Sequence, residues 1–380
     1  PPRHPSAHLN GRLKELLTAA GGSNPDGPRR RDTNRLLLNG TVIGPCEAVE
    51  ISSSNRAQAA SFFARVAFPN TDPSSLQSWL GADSLDARIE MGWLPPGAGE
   101  GLVDWQLMIS GPVDRLRYDP VTCSVGLEGR DYAARLLDLP LTEAFLNSMS
   151  SDVAQGLADR CGLTCVYDQT SKMIGQYYQI EHSRQGLARL SKFGNAWDLL
   201  CSLAQFEGYD LWVSGTALHF VSADRAPSYS TAVTFTPPVG SGPPSLNVTS
   251  LTAERTLALP SSTTVQVSSW NSRQRMRVTA QASGGAGASP NVVNVVRPNL
   301  LQDTAQMLAN GIYGQAAPHR QTIAVTMPGD LTLTPRDRLV VAGLGSGWDG
   351  NFRIDTLDRE MTLEGGFTQS LVAKMEVNDG

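Results

Sequence analysis

The chain has 380 residues, a length that favours about two or three domains, and its 41% hydrophobic and 18% charged residues exclude wholesale disorder. A net charge of −5 argues against a protein whose main task is to hold nucleic-acid phosphates, although a local basic patch is compatible with it. The 36 Gly and 24 Pro, with no long helical periodicity, favour β-rich architecture. No apolar run approaches the roughly 20 residues that span a bilayer, so no membrane anchor is expected, and no signal-peptide core opens the chain. The five Cys have scattered spacings, which fit buried thiols in a reducing compartment better than a disulfide framework.

Residues 1–34 are polar and rich in Pro and Gly, with a short helix conceivable only at 13–20 and a basic triplet at Arg29, Arg30 and Arg31. They read as a flexible leader; an arm that orders on assembly is the other reading. Short apolar or alternating runs at 36–38, 48–51, 62–68, 87–92, 105–109 and 121–127, separated by Gly, Pro, Asn and Ser, predict strands. A longer insertion at 71–85 holds a helical turn at 75–80, and 129–137 reads as a helix closing a β-domain over 35–139.

Residues 140–225 change character. Thr142 and Ser151 are candidate helix caps, Val153, Leu157 and Cys161 share a helical face, Gly162 supplies a stop, and 163–167 is a strand. The plan repeats, more legibly, at 195–221. Asn195 is the N-cap of a helix whose face carries Trp197, Leu200, Cys201 and Ala204. Gly208 fits the left-handed position that ends it, and a hairpin follows, turning at Ser214-Gly215. A small α/β domain is therefore predicted, with a polar loop at 168–192. Strands return beyond 226, at 232–235, 264–267, 276–280, 322–327, 338–341, 352–354 and 370–375, together with one helix at 299–313 and flexible loops at 240–244 and 283–290.

The two β-rich regions resemble each other. A strand stopped by proline at 63–69 matches 323–328, the strand 86–92 matches 337–343, and a glycine loop follows each. A further strand leads into Val113-Asp114-Arg115 in one and Leu357-Asp358-Arg359 in the other, and one more strand ends each copy. The shared order predicts a duplicated β-domain.

Candidate chemistry is sparse. Cys161 and Cys165 are spaced as half of a zinc site that His182 or His219 would complete, but they lie at an apolar helix end and inside a strand, with no second ligand pair nearby. The glycine-rich runs at 284–287 and 343–347 do not sit between a strand and a helix as phosphate loops do, and no nucleophile elbow or metalloprotease signature is present. Glu143, Asp152, Glu207 and Asp210 supply carboxylates, but sequence places no two across a cleft. The expectation is no catalytic residue, no metal and no cofactor. Asp114, Arg115, Asp358 and Arg359 read as recurring ion pairs or turns. Trp270, followed by Asn271 and the arginines of 272–275, reads either as an interface anchor or as the lid of a β-core.

Several runs together resemble the phage tail-hub family, the baseplate hub of contractile-tailed phages: 111–114 (GPVD), 127–136 (LEGRDYAARL), 196–200 (AWDLL), 203–209 (LAQFEGY), Leu218-His219-Phe220, 265–271 (VQVSSWN), 352–354 (FRI) and 361–367 (MTLEGGF). Mu-like tail hubs are the nearest type, with late-control D proteins and the hub part of type VI secretion spikes as wider relatives. The resemblance implies an α+β, β-rich fold in which two similar tube-type β-barrel domains, at 35–139 and 226–380, flank the small α/β portion. It further implies a homotrimer forming a pseudo-six-fold ring that adapts a hexameric tail tube to a trimeric spike. Expected partners are a second and third copy, the tube protein, the spike and other baseplate proteins, with DNA only in transit. The expected location is the virion tail, assembled in the bacterial host cytoplasm. No lysozyme-like insertion or terminal β-helix is read, so a spike or hydrolase is expected on another polypeptide. A β-rich glycan-binding or cell-wall-hydrolysing tail enzyme is the alternative, and a fibre-like adhesin lacks fibrous repeats.

Overall fold

The computed structural model describes residues 31–55, 57–67, 73–94, 103–142, 145, 147–171, 173–174, 177–178, 183–184, 194–223, 229–238, 244–257, 264–272, 275–283, 292–316, 321–345 and 347–376. The leader up to residue 30, Glu143, His182, the loops at 240–243 and 284–290 and the first glycine loop lie outside the described residues.

The first region contains β1 (Arg31–Leu38), β2 (Thr41–Gly44), β3 (Ala48–Ser54), β4 (Ser61–Ala67), α1 (Pro73–Leu80), β5 (Asp86–Leu94), β6 (Gln106–Asp119), β7 (Ser124–Arg130) and α2 (Ala133–Leu137). The middle region contains β8 (Ser148–Met149), α3 (Ser150–Arg160), β9 (Thr164–Tyr167), β10 (Met173–Ile174), β11 (Tyr177–Tyr178), β12 (Ser183–Arg184), α4 (Ala196–Glu207), β13 (Tyr209–Ser214) and β14 (Ala217–Ser222). The last region contains β15 (Ser230–Thr236), β16 (Ser245–Leu246), β17 (Ser250–Arg255), β18 (Thr264–Asn271), β19 (Met276–Ser283), β20 (Val292–Val296), α5 (Gln302–Ala316), β21 (Gln321–Pro328), β22 (Arg338–Ala342), β23 (Gly350–Thr362) and β24 (Gly366–Met375).

Strands from the first and last regions form one 14-stranded sheet. Its first half is paired in the order β2-β1-β5-β6-β7-β4-β3, and its second in the order β16-β15-β22-β23-β24-β21-β17. The two lists are the same arrangement, apart from the β1–β5 pairing being antiparallel and the β15–β22 pairing parallel. Two apolar cores lie under the sheet: one built on Leu36, Ile51, Phe62, Ile89 and Leu127 of the first half, with Leu331, Met361 and Phe367 of the second joining it, the other on Val233, Ile323, Leu339, Phe352 and Leu371.

Three expectations are corrected. The two β-barrels are not seen as closed units. β3 pairs with β23, so the two copies share one ladder, and no barrel closes among the described residues. Second, β18, β19 and β20 do not join the second-half sheet. They form their own sheet, with Ala305, Leu308 and Ala309 of α5 covering one face over Val265, Val267, Val278 and Ala280. Third, β7 runs on to Arg130 and α2 is only five residues long, because the Asp131 carboxylate accepts the Ala60 and Ala133 amides at 3.0 and 2.9 Å and turns the chain there.

In the middle region a parallel pairing of β9 with β14 completes the three-stranded sheet β13-β14-β9, and α3 and α4 pack on it around Leu157, Trp197, Leu200 and Phe220. Asn195 does cap α4, accepting the Asp198 amide at 2.8 Å. Ser151 does not cap α3. The helix follows an extended Met149, while the Ser150 hydroxyl donates to Glu207 and the Ser151 amide to Thr170.

Candidate assembly edges

The halves agree in register as well as in order. In the first, Phe62 faces Gly129 on one side and Ile51 on the other, and Gly129 faces Val113. In the second, Ile323 faces Ala373 and Ala253, and Ala373 faces Ile354. Both long strands slip by one residue at the same place, Asp114 in β6 and Asp355 in β23. A bulge leaves its extra residue outside the ladder and bends the strand; β6 pairs with β5 only before the bend, β23 pairs with β22 only before it and with β3 only after it, and β7 and β24 run alongside through the bend.

The bulged carboxylates explain their own position. Asp114 takes two hydrogen bonds from Arg130 at the end of β7, at 2.7 and 2.8 Å. Asp355 takes Lys374 Nζ at 2.9 Å, and Lys374 stands at the place in β24 that Arg130 holds in β7. The recurring ion pair is therefore Asp114–Arg130 and Asp355–Lys374. This displaces the expected match of Asp114-Arg115 with Asp358-Arg359 by three residues, because strand alternation carries no mark of a bulge.

Arg115 instead pairs across the sheet with Glu128 at 3.2 Å, and exposed Asp358 accepts the Ser52 hydroxyl at 2.6 Å. Arg359 points the other way: it is buried, donates to the Leu333 carbonyl, and burial pulls its guanidinium down to about 10.

Register identifies two open edges. Beyond its bulge β23 pairs with β3 from Thr356 to Thr362. The counterpart of that segment is β6 from Arg115 to Asp119, and the counterpart of β3 is β17. Among the described residues neither has a strand on the corresponding side. β17 is exposed on both faces except at Leu251, so it lacks the alternation of a half-buried strand. On the uncovered face of the sheet, Glu50, Phe63, Glu128, Arg115, Asp358 and Glu360 line a shallow depression of about 620 Å³.

The middle region is fastened to both halves. Trp197, 3% exposed, donates its indole N–H to the Ala57 carbonyl at 3.1 Å, in the link between β3 and β4. From the second half Arg353 pairs with Asp210, and the Arg336 guanidinium lies 4.1 Å above the Trp212 ring, which stacks on His219 at 4.4 Å. His219 is thus one face of an aromatic–cation stack, a role that spacing alone did not reveal. Gly208 ends α4 at φ 73°, in the left-handed region. Trp270 is 58% exposed and opposite Arg277, and Asn271 is buried, donating to the Leu300 carbonyl at 3.4 Å. The lid reading of Trp270 is thereby set aside, since its indole projects into solvent.

Burial pushes the Cys46 and Cys201 thiols up to about 12 and Cys165 to about 11. No three His, Cys, Asp or Glu side chains gather at metal-binding distance among the described residues. Asp131 has a distinct consequence. Burial outweighs its hydrogen bonds with the Ala60 and Ala133 amides and raises its carboxyl to about 6. The folded chain then binds this proton more tightly than the unfolded one, whose Asp titrates near 3.9. Stability from this group is fully present below about pH 4 and is lost as pH rises through about 6, by up to about 3 kcal/mol. Denaturant melts of wild type and Asp131→Asn across pH 4–7 should differ in slope in that window. Parallel curves would contradict the assignment.

No family model matches the chain, and no curated protein does. Solved structures do. The tail protein from Neisseria meningitidis MC58 superposes with a TM-score of 0.64 at 15% identity, covering 90% of this chain and 96% of that one. The prophage MuSo2 43 kDa tail protein from Shewanella oneidensis gives 0.64 at 15%, covering 90% and 98%. Prophage tail protein gp18 from Listeria monocytogenes EGD-e gives 0.55 at 11%, covering 90% and 94%. The fold is thus that of phage tail proteins, β-rich with a small α/β insertion. Within that class, it is similar over 90% of its length to the Neisseria tail protein and to the 43 kDa tail protein of prophage MuSo2.

Proposed function

We propose that this chain is a structural hub protein of a tail baseplate, which assembles as a homotrimer around a channel. The observation that carries the reading is the duplicated seven-strand arrangement, with its two copies joined edge to edge through β23 and β3. A contact that joins unlike edges repeats until it closes a ring or runs on as a filament. Three copies would offer six similar halves to a six-fold tail tube on one side, while keeping three-fold symmetry for a spike on the other. Likeness to phage tail proteins in fold supports that role, and no enzymatic step is assigned. The middle region, over about 140–225, is the joint that fixes the angle between the halves. Residues 264–316 add a separate small sheet to the second half.

DNA passing through such a ring would meet the uncovered sheet face, where Glu360 stands directly opposite Glu50 and Asp358 lies two residues from Glu360 on the same strand. Like charges directly opposite destabilise a sheet, so keeping them fits a wall that repels phosphates more than a neutral scaffold. Native mass spectrometry of the purified chain tests the ring: a species three times the 40.7 kDa chain mass is expected. A monomer that cleaves cell-wall glycan would replace this reading with an enzyme.

A further inference from the structure

The ring reading leaves open which edges meet, and the internal duplication supplies the answer. We infer that the β17 edge of one copy pairs antiparallel with the post-bulge part of β6 in the next copy, in the register that β3 and β23 use within one chain. The inference rests on the ring reading but makes a separate claim about residues.

Within the chain, Leu357 faces Ser53, Asp358 faces Ser52, Arg359 faces Ile51 and Glu360 faces Glu50. The in-register match of the halves converts each partner. On β23, positions 357, 358, 359 and 360 correspond to Leu116, Arg117, Tyr118 and Asp119. On β3, positions 53, 52, 51 and 50 correspond to Arg255, Glu254, Ala253 and Thr252. The pairs between copies are then Leu116 with Arg255, Arg117 with Glu254, Tyr118 with Ala253, and Asp119 with Thr252.

Side-chain chemistry agrees with a register that was set only by backbone pairing. Arg117 and Glu254 are opposite charges at directly facing positions on the uncovered face. Both are exposed in the single chain, and neither has an ion-pair partner among the described residues. The opposed Glu360 and Glu50 of the internal joint are replaced by Asp119 and Thr252, which removes a like-charge clash. On the other face the large Tyr118 ring lies over the small, exposed Ala253. The union would also satisfy the amides and carbonyls that both edges now present to solvent.

Directly opposed strand residues have Cα atoms about 4.5–5.5 Å apart, within the range a disulfide bridges. Arg117→Cys combined with Glu254→Cys is therefore expected to give dimer and trimer bands under mild oxidation that reductant removes. Arg117→Cys with Ser250→Cys, four residues out of register on the same face of β17, serves as the control and should not cross-link. Separately, Arg117→Glu or Glu254→Arg should raise the concentration at half-assembly roughly fivefold per contact, and the double reversal should restore it. A wild-type trimer without the cross-link, or one indifferent to both reversals, overturns the edge assignment and leaves the ring standing. A wild type that stays monomeric at assembly concentrations overturns both.

Discussion

Trp197→Ala is expected to cost about 3–5 kcal/mol, the range for deleting a large aromatic side chain from a packed core. The indole lies among Leu157, Leu200, Leu203 and Phe220, and its N–H is the hydrogen bond that ties the middle region to Ala57 in the first half. The loss should appear first in the middle region, as a lower unfolding midpoint in urea. In the proposed hub, where that region is the joint between the halves, the loss should carry over to assembly. Trp197→Phe separates the two contributions: it keeps most of the apolar volume and loses the hydrogen bond, at about 1 kcal/mol. A Trp197→Ala chain that assembled like wild type would show that the middle region does not act as a joint.

The second large effect comes from the bulge pairs, where one device appears in two environments. Asp355 and Lys374 have side chains only 7% and 12% exposed, so Asp355→Ala leaves an ammonium buried without its carboxylate, at about 3–5 kcal/mol. Asp114 and Arg130 are 39% and 33% exposed, and Asp114→Ala should cost about 1 kcal/mol or less, since water can take the place of the lost partner. Combining Asp355→Ala with Lys374→Met should recover much of the loss, because it removes the uncompensated charge. Urea unfolding of the three variants measures this. Equal costs for Asp114→Ala and Asp355→Ala would contradict the burial difference on which the comparison rests.

What the sequence disclosed follows from where side chains are buried. The stretch at 195–221 was legible because its signals are local: Asn195 caps, Gly208 stops, and Trp197, Leu200 and Ala204 recur at helical spacing. Core strands such as β4 and β21 were legible because their inward residues alternate. β17 was missed for the same reason in reverse. Ser250, Thr252, Ala253, Glu254 and Arg255 are all exposed, and a strand that buries neither face in its own chain has no period to read. The continuation of β3 through Ser52, Ser53 and Ser54 depends on a partner more than 300 residues away, at Leu357 and Asp358. The bulges at Asp114 and Asp355 left no period either, and aligning the copies by their Asp-Arg dipeptides slid one past the other. A signal was present nonetheless: each copy has an Asp after a β-branched residue inside an apolar strand, and a basic residue near the end of the next strand.

The independent sheet of β18, β19 and β20 was hidden because its strands have the same alternation as those of the large sheet. Only the pairing of β20 alongside β18, with α5 closing the face, sets it apart. The arrangement of open edges is a property of topology, and no single stretch of residues encodes it.

End-on electron microscopy of the purified assembly tests the central claim most directly, because the duplication should be visible as symmetry. Closed particles with three-fold symmetry and a channel whose inner wall repeats nearly six-fold are expected. Discrete two-fold dimers, or open filaments of the same chain, would contradict the claim.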